Sequence, residues 1–340
     1  MSDAPSFLGI IVNPMSGRDV RRVIARASTS AHLEKQQQVA RLIVSAIAHG
    51  VERIYLGNEP FRIGARASEN LRERDQVTLL DYPLTHTAKD TESMAERMWE
   101  AGCRTFIVLG GDGTSRIVAR QYPDAVLLPL STGTNNVFPF REEATVAGAA
   151  AGLIASGRLA MEEACSRCKR IVVDQVEPGS FKDIALIDAV VLHNDVVGSF
   201  MPFEGNQLRT LILARAEAGA VGMSPIGGYL DPCSHEDDWG IVVSCDPSAK
   251  NHLKIPISPG LWQSVGISDH RRLPLGERVP LGAQGIIAFD GDRTLDLANH
   301  PSTSGRIERD GPWIINPQQV MNLAAKRSLF LNSWSRLPFQ

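Results

Sequence analysis

The sequence is poor in cysteine: its 340 residues contain five, namely Cys103, Cys165, Cys168, Cys233 and Cys245. An odd and sparse set of thiols argues against a disulfide framework and is typical of a reducing compartment. The first residues also lack the basic segment and apolar core of a secretory signal. We therefore expect a cytoplasmic protein.

The sequence also lacks an excess of charge of either sign, and it lacks long apolar runs. Lysine and arginine number 35 against 38 acidic residues, for a net charge of -3. This balance provides no electrostatic footprint for nucleic acid or an anionic membrane, although it permits a local basic pocket for phosphate. No apolar stretch approaches the roughly 20 residues that span a bilayer. We expect neither nucleic acid nor a membrane as a partner.

The first part of the chain alternates between strand-like and helix-like segments. Continuous apolar runs predict buried strands, and apolar residues at helical spacing predict the helices between them. The predicted strands cover residues 7–12, 51–56, 77–80, 105–109 and 125–130, and the predicted helices lie around 39–47 and 88–101. This alternation predicts an α/β domain over residues 1–140, with a parallel sheet and helical crossovers.

From about residue 141 short β-like runs, separated by proline and glycine, replace the alternation. They predict a mainly antiparallel β-sandwich over residues 141–317, the second of the two domains expected for this length. Its predicted strands include 184–192 and 313–315. A helix is predicted over 205–218, because Leu208, Leu211 and Ile212 share helical spacing. A last apolar helix, 318–331, is expected to pack back on the first domain.

A glycine-rich loop, Gly110-Gly-Asp-Gly-Thr114, follows a predicted parallel strand and precedes a helical segment. Glycines let backbone N–H groups approach a ligand closely, and a helix N-terminus favours phosphate. Asp112 repels an anion, so its presence indicates that it holds Mg²⁺ or takes a proton from a hydroxyl. A tight turn from strand to helix is the structural alternative.

Two further polar loops also follow predicted strands. They are Asn13-Pro-Met-Ser-Gly17 and Ser131-Thr-Gly-Thr-Asn-Asn136. Taken alone, the first is an ordinary turn and the second is compatible with a linker. Ligands bind outside the carboxyl ends of parallel strands, so three such loops at one edge of a sheet favour a nucleotide site.

These motifs resemble a known superfamily. Gly110-Gly-Asp-Gly-Thr114 is similar to the signature of NAD kinases and of diacylglycerol and sphingosine kinases, and Asp290-Gly-Asp292 resembles the Asp-Gly-Glu of the lipid kinases. A narrower likeness covers residues 9–22, 129–139 and 208–224. These stretches resemble the AcoX family, ATP-NAD kinase-like proteins of acetoin-catabolism operons.

The resemblance implies an α/β nucleotide domain, a C-terminal β-sandwich and an active site between them that uses ATP and Mg²⁺. It implies that Asp112 is the catalytic base or metal-organising carboxylate and that Asp292 is a metal ligand. Roles in binding the cofactor are implied for a set of loop residues: Asn13, Ser16, Gly17, Gly110, Gly111, Gly113, Thr114, Thr134, Asn135 and Asn136.

The resemblance predicts an ATP-dependent small-molecule kinase with NAD or a related metabolite as the acceptor. A lipid kinase of the diacylglycerol type and a non-catalytic nucleotide- or dinucleotide-binding protein of acetoin catabolism are the alternatives. Asn135 and Asn136 stand where the lipid kinases carry an Asn-Asp pair, so one acid is missing. Relatives of this kind often form dimers or tetramers, which predicts a homo-oligomer.

Three other features are weaker candidates. Cys165 and Cys168 have the spacing of a metal or redox pair, without a second pair to complete a zinc site. The segment 233–238 gathers ligand-type side chains and is compatible with a solvated loop or a substrate-side or metal site. Asp188 lies within an apolar strand and is costly to bury unpaired, so we predict that it faces the interdomain cleft.

Overall fold

The computed structural model of the chain describes residues 5–16, 31–132, 136–175, 181–199, 201 and 203–331. Three residues of the predicted site, Gly17, Thr134 and Asn135, lie outside the described residues.

The described strands make up most of the chain's regular structure. They are β1 (Phe7–Val12), β2 (Arg53–Gly57), β3 (Val77–Leu80), β4 (Thr105–Gly110), β5 (Val126–Ser131), β6 (Cys165–Arg167), β7 (Arg170–Gln175), β8 (Lys182–Ala185), β9 (Asp188–Leu192), β10 (Leu208–Leu213), β11 (Trp239–Cys245), β12 (Asn251–Ser258), β13 (Leu261–Pro274), β14 (Val279–Pro280), β15 (Ile286–Phe289), β16 (Asp292–Asp296), β17 (Thr303–Glu308) and β18 (Trp313–Ile315).

The described helices lie mainly in the first half of the chain. They are α1 (His32–Ala48), α2 (Ile63–Ser68), α3 (Lys89–Glu100), α4 (Asp112–Gln121), α5 (Ala144–Ala155), α6 (Met161–Ala164), α7 (Ser224–Gly228) and α8 (Pro317–Lys326). Of the helices in the described ranges, none combines the length and the apolar character needed to cross a membrane.

The first sheet is mostly parallel, in the order β3-β2-β1-β4-β5-β18-β6. Every neighbouring pair is parallel except β18 with β6. The central strands bury side chains on both faces, which their continuous apolar sequence requires. This sheet confirms the α/β class predicted for the first part of the chain. The boundary at residue 140 stays a prediction, since β6 and β18 also join the sheet.

Helices cover both faces of this sheet. On one face α1 and α5 share a core with α8, which contributes Val320 and Ala324. On the other face Met98 of α3 and Val118 of α4 pack together. The backbones of α1 and α5 approach closely, because a Cβ at Gly148 would stand 2.7 Å from the carbonyl oxygen of Leu42. These contacts fix the helices that carry the site's residues.

The second half of the chain forms two antiparallel sheets, in the orders β12-β13-β11-β10-β9-β15-β16 and β14-β17-β7-β8. Ile171 of the smaller sheet packs in one core with Ile212 and Ile287 of the larger sheet. The arrangement confirms the predicted antiparallel sandwich.

The helix predicted over 205–218 is wrong. Gly205–Gln207 form one 3₁₀ turn, and β10 follows it in the middle of the larger sheet, between β9 and β11. Leu208, Leu211 and Ile212 are fully buried because both faces of the strand are covered. A strand buried on both faces has a continuous apolar sequence, which periodicity does not distinguish from a buried helix.

Two predicted strands differ from the observed ones. The run 184–192 is divided at residues 186–187, so that β8 lies in the smaller sheet and β9 in the larger one. The run 313–315 is β18, which pairs in parallel with β5 in the first sheet. Strand pairing depends on contacts far apart in the chain, and apolar runs carry no information about it.

Candidate functional site

The three polar loops meet at one edge of the first sheet, beyond the carboxyl ends of β1, β4 and β5. Asn13 donates its Nδ2 to the Oγ1 of Thr114 at 2.9 Å, and Ser16 shares a 2.6 Å hydrogen bond with the hydroxyl of Thr132. The Oδ1 of Asn13 accepts the amides of Met15 and Ser16. The loops therefore form one polar surface, as their positions after parallel strands predict.

A buried lysine supports the first of these loops from behind. Lys35, on α1, has no solvent exposure. Its Nζ donates to the carbonyl oxygens of Asn13 (2.9 Å), Pro14 (3.0 Å) and Ser16 (2.7 Å). The sequence analysis missed Lys35 because it lies on a helix distant from every motif.

We expect Lys35→Met to destabilise the protein by about 2 kcal/mol, because it leaves carbonyls of the loop without a charged donor. Exposed Gln37 lies on the same helix, and Gln37→Met is the matched control, which we expect to be close to neutral. Urea unfolding followed by circular dichroism gives both values. Equal midpoints for the two variants would contradict the supporting role of Lys35.

The glycine-rich loop places a helix N-terminus at the polar surface. α4 begins at Asp112, and the first helical hydrogen bond to this loop is from the amide of Ser115 to Gly111. Within the described residues, the amides of Asp112, Gly113 and Thr114 have no acceptor. Three free N–H groups at the positive end of a ten-residue helix are the chemistry that binds a phosphate.

The glycines of this loop are explained by close packing. None of Gly110, Gly111 and Gly113 has a positive φ. A Cβ at Gly111 would stand 2.8 Å from the Oδ1 of Asn136, and one at Gly113 would stand 3.0 Å from an oxygen of Asp292. The glycines therefore allow two polar side chains to lie directly against the loop.

Asp112 lies between the two halves of the protein and is only partly exposed. Its Oδ1 accepts the amides of Val137 at 3.2 Å and Phe138 at 3.0 Å. The pKa of Asp112 is raised from 3.8 to about 7, first by burial and then by the charge of Asp290, against the two amides and Arg215, which lower it. A carboxylate whose pKa is near neutrality is suited to accept a proton.

Asp290, from the turn between β15 and β16, approaches Asp112 from the second half of the chain. It has a left-handed backbone, with φ 47°. Its carboxylate accepts the amides of Leu186 (2.8 Å), Ile187 (2.8 Å) and Asp188 (3.1 Å). Burial raises the pKa of Asp290, although Arg116 and these amides lower it. The left-handed turn thus holds a second carboxylate near the first.

Asp188 is the third acid of this group. It is 8% exposed, and in the described part of the chain its Oδ1 has no hydrogen-bond partner. Burial raises the pKa of Asp188 well above its ordinary value, and the charges of Asp290 and Asp112 add to the increase. Asp188 and Asp290 therefore lie together in the second half of the chain, within electrostatic reach of Asp112. Because like charges disfavour joint ionisation, this cluster retains protons near neutral pH.

Asp292 lies beside the N-terminus of α4, with its side chain 43% exposed. Its Oδ2 is 3.4 Å from the guanidinium of buried Arg116, which also contacts Asp183 at 3.2 Å. The described residues contain no group of three side chains arranged to hold a metal ion. Mg²⁺ in nucleotide sites is usually held by one or two carboxylates together with substrate phosphates. Asp292 fits the role of one such carboxylate.

Asn136 completes the surface. Its Nδ2 donates to the Oγ of Ser131 at 3.0 Å, and its Oδ1 faces Gly111. Asn136 is thereby oriented by the loop itself, with its carbonyl oxygen beside the glycine that precedes α4.

The cysteines of the two weaker candidates are buried within the chain. Burial raises the pKa of the Cys165 and Cys168 thiols to about 12, which makes them poor nucleophiles. In the segment 233–238, Lys169 contacts Cys233 at 3.2 Å, and Arg309 pairs with Asp238 at 2.8 Å. These ligand-type atoms are thus engaged within the chain.

Several residues of the site were not among the predicted site residues. Lys35 and Arg116 are single basic residues on helices, and Arg215 follows β10 within the stretch 208–224 that resembles the AcoX family. Asp290 belongs to the Asp-Gly-Asp motif, in which only Asp292 was predicted to have a role. The roles of the three basic residues are identified only by their contacts.

Comparison with known proteins gives two family matches. Residues 8–158 match the family model of the ATP-NAD kinase N-terminal domain, and residues 169–310 match that of the acetoin catabolism protein X C-terminal domain. Acetoin catabolism protein X of Cupriavidus necator is 35% identical over 302 residues, which cover 85% of this chain and 84% of that protein.

Solved structures are similar in fold. Yeast NADH kinase complexed with NADH superimposes with a TM-score of 0.53 at 14% identity, over 99% of this chain and 90% of the kinase. A putative diacylglycerol kinase from Bacillus anthracis gives a TM-score of 0.44 at 13% identity, over 92% of this chain and 98% of the other.

Proposed function

The chain belongs to the family of acetoin catabolism protein X, and from this membership and the site's geometry we propose that it is an ATP-dependent small-molecule kinase. One observation carries the proposal. Asp112, a carboxylate with a pKa raised to about 7, is the first residue of a helix whose first three amides have no acceptor in the described residues. A proton acceptor and a phosphate-binding surface thus lie within one turn of helix.

The proposed reaction moves the terminal phosphoryl group of ATP to an acceptor hydroxyl. The amides of Gly113 and Thr114 hold phosphate oxygens, and Asn13 and Ser16 order the neighbouring loop. Asp112 takes the proton of the hydroxyl as its oxygen bonds to the terminal phosphorus, and the bond to the bridging oxygen breaks to release ADP. Mg²⁺, held in part by Asp292, would neutralise phosphate charge. Catalysis of this kind depends on positioning and electrostatics.

NAD is the acceptor that we propose to test first. The match of residues 8–158 to the ATP-NAD kinase N-terminal domain and the fold shared with yeast NADH kinase support this choice. The purified full chain is incubated with ATP, Mg²⁺ and NAD, and NADP and ADP are measured. We expect NADP to form in step with ADP. Binding of ATP and NAD without transfer to NAD or to a panel of other alcohols would contradict the kinase and favour a nucleotide-binding protein.

We expect the rate of transfer to depend on pH through Asp112. Because the base acts only when it is deprotonated, and its pKa is about 7, kcat/KM should rise about tenfold per pH unit below 7 and level off above it. A profile measured from pH 5.5 to 8.5 with saturating ATP tests this. A rate that is constant over this range would exclude Asp112 as the base.

The cytoplasmic location and the homo-oligomer are also proposals, which the family resemblance supports. Light scattering of the purified chain tests the second: a mass above 37.0 kDa is expected, and a monomer at working concentration would contradict it.

A further inference from the structure

Arg215 lies just after β10, in the cleft beside Asp112. Its guanidinium stands 4.9 Å from the centre of the Phe138 ring, and the backbone amide of the same Phe138 donates to Asp112 at 3.0 Å. Arg215 therefore contacts the ring of Phe138, and Asp112 accepts a hydrogen bond from the backbone of the same residue. The arginine comes from the second half of the chain, and the aspartate comes from the first.

The guanidinium of Arg215 has no hydrogen-bond or ion-pair partner among the residues that the structure describes. Its acidic neighbours, Asp112, Asp290 and Glu217, act on it only at longer range. A cation–π contact satisfies none of the five N–H donors of an arginine. Removing a cation from water without a partner is costly. Arg215 is thus a partly buried donor without an acceptor.

A small cleft of about 30 Å³ opens at this arginine, between the edge of the first sheet and the second half of the chain. Its polar lining is Arg215, Arg167, His235, Ser166, Asn316 and Gln319, and no carboxylate lines it. Arg167 is already engaged with Asp124 and two carbonyls. A cleft of this size has room for a small polar group beside the guanidinium.

From the unpaired guanidinium, the lining of the cleft and the contact of Arg215 with Phe138, whose amide donates to Asp112, we propose that Arg215 binds an anionic group of the acceptor, a carboxylate or a phosphate. The acceptor is then a hydroxylated molecule that carries a negative charge apart from the hydroxyl that reacts. This inference rests on the proposed kinase function. Arginine suits the role because its planar fork pairs with two oxygens of one oxyanion.

The test uses three probes that share one carbon skeleton: glycerol, glycerate and glycerol 3-phosphate. Each is titrated into the full chain without nucleotide, followed by ligand-observed NMR. We expect at least one of the two anions to bind more than tenfold more tightly than glycerol, and the better anion identifies a carboxylate or a phosphate as the preferred group. Equal affinities for the three probes would overturn the proposal.

Arg215→Gln should weaken binding of the preferred anion about 10- to 100-fold, since a charge-assisted contact is lost. Arg209→Gln is the matched control, because Arg209 lies on β10, just before Arg215, and its guanidinium donates to backbone carbonyls. The control should bind the anion as the wild type does. If Arg215→Gln retains wild-type affinity, the arginine serves only to balance the acids of the cleft, and the proposal fails.

A second variant guards against misfolding of the first. Arg215→Lys keeps the charge without the planar fork, and we expect it to fold and to bind the anion with intermediate affinity. If both Arg215→Lys and Arg215→Gln bind the anion with wild-type affinity, the proposal is overturned. Because no nucleotide is present, loss of anion binding is separate from a failure of phosphoryl transfer, which the NADP assay reports.

Discussion

The variant Asp112→Asn is expected to lose at least 10²-fold in the rate of phosphoryl transfer while it remains folded. Asparagine keeps an Oδ1 that accepts the amides of Val137 and Phe138, so the loop keeps its position. It cannot take a proton from the acceptor hydroxyl, which removes general-base catalysis worth about 10²–10⁴-fold. ADP and NADP formation at pH 8, with saturating ATP, measure the loss.

Asp188→Asn is the matched control for this result. It replaces another carboxyl group of the same acidic cluster, at a residue whose Oδ1 has no partner among the described residues. We expect its turnover to stay within about tenfold of the wild type, because Asp188 has no role in accepting the proton. If both variants lose activity equally, the charge of the cluster, rather than a base at Asp112, explains the loss.

The pH dependence of the stability of Asp112→Asn provides a second test. The pKa of Asp112 is raised by burial from 3.8 to about 7, so between these values the folded wild type binds more protons than the unfolded chain. Its stability therefore falls as pH rises through this window. The asparagine variant lacks this loss. The Tm of the variant minus the Tm of the wild type should therefore increase from about pH 4 to pH 7. A difference in Tm that does not change with pH would contradict the raised pKa.

Arg116→Met is expected to destabilise the fold by about 3 kcal/mol. Arg116 is 4% exposed and joins α4 to the second half of the chain through Asp183 and Asp292. Removing one partner of a buried pair leaves the other charge uncompensated, at a cost of about 3–5 kcal/mol. Arg120 also contacts Asp183, at 3.4 Å, and holds the cost at the lower end. Urea unfolding followed by circular dichroism gives the free energy.

Arg120→Met is the matched control for this change. Arg120 contacts the same Asp183, but its side chain is 38% exposed, and solvent screening limits such a pair to about 0–1 kcal/mol. We expect a clear difference between the two variants. Similar free energies of unfolding would show that burial does not strengthen the pair of Arg116 with Asp183. The double variant Arg116→Met with Asp183→Leu should recover part of the loss.

Sequence patterns predicted the elements of the first part of the chain well. Each parallel strand there is buried on both faces, and each helix is buried on one face. Those periodicities are local and can be read from neighbouring residues. The same local pattern failed at 205–218, where a central strand of the sandwich has the apolar content of a helix. It also assigned 313–315 to the sandwich, although β18 pairs with β5 in the first sheet.

The sequence by itself determined the position of the proposed phosphate site. Gly110 to Thr114, Asn13 and Asn136 follow parallel strands, and the topology of a parallel sheet brings the ends of those strands to one edge. That reasoning needs only the order of elements along the chain, so the loops were found without knowledge of any contact between them.

Only the tertiary structure decided which charges face that surface. Lys35 behind the first loop, Arg116 between the two halves, and Arg215 opposite Asp112 come from distant segments, and their roles exist only through contacts across the cleft. The raised pKa of Asp112 has the same origin, since it depends on burial and on the charge of Asp290, 178 residues further along the chain. Electrostatic interaction depends on distance in space and on solvent exclusion, and the local sequence predicts neither of them.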